Sequence, residues 1–329
     1  FGGAGWRPVG GTPLFRTYDT PHAAAAQARM GRAGLQAAIL EVTGGVLENY
    51  PPDVRIPLAL VAANAAAEAG DDLTANTFLE AARDPEFNTT HDEAAIQYLE
   101  GKLLATTGAF EAAIAAWREA EMGHSRRHAA MARRDRLDME YRLDLIDTEQ
   151  LINGLESLRF AWRGGAFEYD LLKELGALYL EEERYGDALR TLRLAASYFQ
   201  DRPGSDELMT TMREVFDTLF LDGSANDMAP LTAIALFDEF RELTPTGNKG
   251  DEMIRRLADR LVAVDLLDPA AALLERQIRY RLRGLDRAKV GARLALVYLL
   301  NRQPSNALEA LEKTRFAPLP ERLERQRRH

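Results

Sequence analysis

Cysteine is absent from all 329 residues, which excludes disulfides, thiolate metal sites and thiol nucleophiles. Long apolar runs are missing as well. The longest candidate, Ile56 to Ala67, is interrupted by Pro57 and Asn64 and falls short of the ~18–20 apolar residues that a membrane-spanning helix needs. Hairpin signals between alternating apolar runs are not found, and Asp222-Gly223 falls between helical segments. The chain does not begin with Met, and no signal-like stretch follows Phe1. Together with the missing cysteine this start favours an exported or periplasmic location over the cytoplasm, while a domain cut from something longer fits equally well. Positive charge is scarce overall, with 41 Lys+Arg against 51 Asp+Glu and a net charge of −10.

The residues that are present describe a folded, helical chain. Hydrophobic residues make up 46% and charged residues 28%, ordinary values for a soluble globular protein and unlike those of a disordered one. Residues 1–21 are rich in Gly and Pro and read as an extended arm or linker. Residues 22–54 read as one or more N-terminal capping helices, closed by Pro51-Pro52 because proline lacks the N–H and restricts the residue before it.

From there a small-residue pattern recurs. Its anchors are Ala75, Ala113, Leu151, Ala188, Ala233, Ala270 and Ala307, separated by 38, 38, 37, 45, 37 and 37 residues. Four residues after each anchor stands a large apolar side chain: Leu79, Trp117, Leu155, Leu192, Phe237, Leu274 and Leu311. A fixed period of this size marks stacked supersecondary units, each too small to bury its own apolar face. The expected helix pairs lie at 55–84, 92–121, 125–162, 168–199, 205–243, 250–283 and 287–316. The long step places an inserted loop at 223–227, and residues 322–329 read as the start of a further helix or a basic tail.

Within these units the residues resemble the tetratricopeptide repeat (TPR) superfamily. The copies that carry the likeness are Leu175, Gly176, Tyr179, Tyr185, Ala188, Leu192 and Ala195; Gly101, Leu104, Gly108, Phe110, Ala113, Trp117 and Ala120; and Leu294, Ala295, Tyr298, Ala307 and Leu311. The likeness spans about residues 55–321 and implies an all-α, right-handed α-solenoid of about seven TPR-like helix pairs. Two departures stand out. The period is nearer 37 than the family's ~34, and the unit within 122–165 is degenerate, with Met139 where a small residue belongs and Arg142 where a large apolar one does.

Chemical motifs are thin. His124 and His128 are four apart, but the intervening residues are Ser125, Arg126 and Arg127, without the glutamate of a zinc-protease motif or a third ligand. The glycines at positions 2, 3, 5, 10 and 11 follow no strand and precede no Gly-Lys-Ser/Thr, so they form no phosphate loop. No nucleophile elbow is present. The chain therefore reads as a non-enzyme that needs no cofactor and no metal.

The TPR resemblance implies that first-helix side chains face a bound peptide in a concave groove. Carried over position by position, these are Leu60 and Asn64, Tyr98 and Lys102, Asp170 and Lys173, Arg255 and Asp259, and Lys289. An Asn–Lys pair such as Asn64 and Lys102 suits a peptide backbone or carboxylate. A second candidate is the basic end, Arg276, Arg279, Arg281, Arg283 and Arg287. From Arg276 to His329 there are 14 Lys+Arg and 5 Asp+Glu, a balance of +9 that leaves −19 on the preceding residues. Such an end suits an acidic partner or an acidic neighbour in a homo-oligomer. With only Tyr280 interleaved, it offers little to stack nucleic-acid bases, and no specific nucleic acid is expected. These features predict a scaffold that binds a protein or peptide segment and supports assembly of a larger complex. The alternatives are a self-assembling subunit docking through the basic end, or an auxiliary repeat domain of an enzyme whose catalytic part lies elsewhere.

Overall fold

A computed structural model describes residues 47–328. The arm expected at 1–21 and nearly all of the capping segment lie outside the described residues; of the latter, a 3-10 turn at Leu47–Asn49 and the first residues of the helix that follows are described. Fifteen α-helices follow, and there is no strand among the described residues. They are α1 Pro52–Ala69, α2 Asp72–Ala82, α3 Thr90–Thr106, α4 Phe110–Met122, α5 Arg126–Arg142, α6 Thr148–Ala161, α7 Gly165–Glu181 and α8 Tyr185–Tyr198. The series continues with α9 Ser205–Asp217, α10 Pro230–Glu239, α11 Asn248–Ala263, α12 Leu267–Tyr280, α13 Gly284–Leu300, α14 Pro304–Lys313 and α15 Glu321–Arg328. The first fourteen fall into seven pairs, one per anchor, so the all-α repeat is as expected. Two compact units divide after Leu171.

Local chemistry sets the helix ends. Pro52, Pro230 and Pro304 open their helices at the first position, where a missing N–H costs nothing. Pro52 therefore belongs to α1, three residues before the expected start of the repeats. Thr89 and Asp92 form a reciprocal capping box on α3, as Asp147 and Gln150 do on α6. Gly70, at φ +77°, ends α1 in the left-handed conformation that glycine adopts freely.

Pairing works through one small residue under one large one. A Cβ on Gly176 of α7 would lie 2.5 Å from Leu192 of α8. Gly101 of α3 lies in the same way under Trp117 of α4, whose indole N–H donates to the Tyr98 carbonyl at 3.2 Å. The degenerate pair inverts the arrangement. There the glycine is Gly154 on the second helix, and a Cβ on it would lie 2.6 Å from Leu137 on the first. Met139 is consequently accommodated in the core, and Arg142 sits at the helix end, paired with Asp138. The same close approach is thus reached with the roles of the two helices exchanged.

The insertion at the long step is wound rather than looped. Thr218–Asp222 forms a π turn and Ser224–Asp227 a 3-10 turn. Phe216, Phe220 and Phe237 cluster with ring centroids 4.7–5.4 Å apart. The α11 side chains Arg256 and Arg260 donate to the carbonyls of Leu221, Ala225, Asn226 and Met228, satisfying main-chain acceptors that the extra residues expose.

Candidate functional site

In the unit ending at Leu171, the first helices α1, α3 and α5 carry a connected polar line. Asn64 on α1 donates to Glu68 at 3.0 Å, and Lys102 on α3 donates to Asn64 Oδ1 at 3.4 Å. The Lys102 ammonium also lies 5.7 Å from the centre of the Tyr98 ring. The Tyr98 hydroxyl donates to Asp135 Oδ2 on α5 at 3.1 Å. Asn64 and Lys102 are 38 apart, the local repeat step, and Tyr98 and Asp135 are 37 apart, one residue short of it.

Burial shapes the electrostatics of this line. Tyr98 is only 4% exposed, and its phenol is pushed well above its ordinary value, first by burial and then by the Asp135 charge. Burial likewise raises the Asp135 carboxyl, and the Tyr98 hydrogen bond partly opposes that. Beside them His128 lies with its ring centre 6.0 Å from that of Tyr98 and 5.7 Å from that of His91, its Nδ1 2.8 Å from Ser125 Oγ. Burial, followed by the Arg127 charge, lowers it to about 4, so its ring is neutral at neutral pH. Asp135 was missed in the sequence because the mismatched Met139 and Arg142 obscured the register of α5. The local step of 38 residues carries Tyr98 onto Arg136, so spacing alone does not single out Asp135.

The remaining expected groove residues are arranged differently. In the unit beginning at Leu172, Arg255 is exposed and pairs with Glu252, Asp259 accepts from Arg293 at 2.5 Å, and Lys289 pairs with Asp286 at 2.9 Å. Lys173 is half-buried and engaged within the chain. Among these residues, then, Asn64 and Lys102 meet directly, Tyr98 belongs to the core beneath them, and three others are exposed ion pairs.

The basic end is partly consumed by its neighbours. Arg276 pairs with Asp238 at 2.8 Å, and Arg281 holds Asp251 at 2.9 Å and the Pro245 carbonyl at 2.6 Å. Arg279 lies against the Tyr280 ring, Arg283 is exposed at the α13 N-cap, and Arg287 is half-buried. The stretch is therefore no continuous free cationic strip: two of its five arginines tie α12 to the preceding helices. Among the described residues no helix is long and apolar enough to cross a membrane.

Seven helix pairs, whose anchors are 37–38 residues apart but for one step of 45, decide the class. The fold is an all-α array of helix pairs. Comparison with known proteins finds no matching family model and no matching curated protein. Among solved structures, the chain overlaps a tetratricopeptide repeat protein from Parabacteroides merdae at 14% identity, covering 82% of this chain and 96% of that one, with a TM-score of 0.34. It overlaps NprR, solved with its cognate peptide NprX, at 13% identity over 88% and 86% of the two chains, with a TM-score of 0.36. The C-terminal part of a TPR repeat-containing protein from Cytophaga hutchinsonii overlaps at 14% identity over 93% and 98%, with a TM-score of 0.33. At these scores the overlaps carry no argument, and the all-α repeat description stands on the helix pairs themselves.

Proposed function

We propose that this chain is a non-enzymatic binding scaffold whose first-helix faces take a peptide or protein segment and so support assembly of a larger complex. The observation that carries the reading is the Asn64–Lys102 contact between α1 and α3. An ammonium has three N–H donors, and one goes to Asn64; the others suit a carbonyl or carboxylate of an incoming segment. Asn64 Oδ1 and the Tyr98 ring both engage the Lys102 ammonium, so the donor is positioned before binding, which lowers the ordering cost. The exposed pairs at Arg255, Asp259 and Lys289 give way to a ligand cheaply, since surface ion pairs are worth about 0–1 kcal/mol.

Affinity capture from the native host tests this, comparing the wild type with a Lys102→Glu, Lys173→Glu, Arg255→Glu variant shown by circular dichroism to be equally folded. A discrete protein partner is expected with the wild type and not with the variant. Recovery of the same partners by both forms rules out these faces as the binding surface.

A further inference from the structure

Among the described residues His91 and His124 are exposed, whereas His128, in the first turn of α5, is half-buried against α3. Its ring packs on those of Tyr98 and His91, and its Nδ1 lies 2.8 Å from Ser125 Oγ. Ser125 caps α5 and is 1% exposed; its oxygen accepts from the His128 main-chain N–H, so its hydroxyl proton is directed at Nδ1. The ring therefore carries its own proton on Nε2. A second proton can go only on Nδ1, where it faces the Ser125 hydroxyl and leaves that buried group without its acceptor.

The surroundings act in the same direction. Burial first, then Arg127 on the same helix and His91 on α3, oppose a cation here; Asp92 on α3 favours one but acts least, and its carboxylate is engaged in the α3 capping box. On α4 and α6, which also pack on α5, Arg118 is committed to Glu140, Glu121 to Arg136 and Glu156 to Arg159. The Tyr98 ring is shared with the groove, since the Lys102 ammonium lies 5.7 Å from its centre and its hydroxyl is bonded to Asp135. A charged His128 brings a second cation to a ring that already holds one. It regains water by moving outward, off Tyr98 and away from α3.

We propose that His128 is an acid-sensitive latch on the α3–α5 face. Neutral, it packs the start of α5 on Tyr98 and so keeps Lys102 placed; protonated, it moves out and frees the first turns of α5 from α3. The regulatory role rests on the reading that these faces bind a segment, but the opening itself is measured without a ligand. The sign follows from linkage. With the folded ring held to about 4 and an open ring at about 6.5, the open state takes up the proton. The closed contact is therefore fully favoured above about pH 6.5 and is lost as the pH falls toward 4.

Amide exchange of the full chain at pH 7 and pH 5, corrected for the intrinsic pH dependence of exchange, tests this. In the wild type, protection of 90–102 and 125–135 is expected to fall at least about tenfold between the two conditions. His128→Gln, which stays neutral and keeps an acceptor for Ser125, should lose less than about twofold over the same interval, while His124→Gln follows the wild type. Equal losses in the wild type and His128→Gln, or a loss spread evenly over all helices, overturn the proposal. Should His128→Gln fold poorly, the wild type still decides: a His128 ring that titrates by NMR near the ordinary value of about 6.5 removes the latch. Failure of the partner-capture experiment with the acid opening intact removes the binding reading and leaves the latch.

Discussion

In the α3–α4, α5–α6 and α7–α8 pairs a single glycine sets the helix spacing, because the two helices approach closely where one side chain is missing. Gly176 beneath Leu192 and Gly154 beneath Leu137 show that the requirement is complementarity and not a particular position. Gly176→Val is therefore expected to overpack the α7–α8 contact and to cost about 1–3 kcal/mol. Leu192→Ala alone should cost about 2–5 kcal/mol through the cavity it leaves. In the double variant the two lesions relieve each other, so the summed cost should exceed the measured one in urea melts. Strict additivity would show that the two side chains do not share that space. At this scale the anchor alanines and the glycines at 101 and 176 were legible in the sequence. The role of Gly154 was not, since a search for a small residue on the first helix finds Met139 and passes over the second helix.

Among the elements, the wound insertion between α9 and α10 depends most on a distant helix. An extra stretch of chain brings carbonyls that the repeat has no standard partner for, and Arg260 satisfies three of them. Arg260→Ala should destabilise the protein by about 2–4 kcal/mol, given about 1.5–3 kcal/mol for a hydrogen bond from a charged donor and incomplete additivity. Hydrogen exchange should then open 218–228 ahead of the helices around it. Arg260→Lys should recover only part of the protection, since an ammonium lacks the fork of a guanidinium. Exchange in 218–228 unchanged from the wild type would show that Phe216, Phe220 and Phe237 hold the insertion without the arginine. The length of the insertion could be read from the 45-residue step. Its winding could not, because the groups that close it lie on α11, more than thirty residues later.

Across the whole molecule, stability in a repeat array is a sum of unit terms and nearest-neighbour terms, so a lesion should stay close to where it is made. Leu257→Ala, in the core of α11, is expected to cost about 2–5 kcal/mol. It should speed amide exchange through α11–α14 while the helices before Leu171 keep their protection. Uniform acceleration over both units would instead indicate a single cooperative structure. The linear order of residues was sufficient for the helix content, the seven pairs and the repeat period, because those follow from local propensity and from the spacing of apolar side chains. It placed Asn64 and Lys102 in one register for the same reason. Only the packed structure decided that Tyr98 is core and bonded to Asp135, and that Arg276 and Arg281 are held by acids of earlier helices. Each of those outcomes depends on which side chains meet across helices, and burial and pairing of that kind are properties of three-dimensional neighbours rather than of sequence spacing.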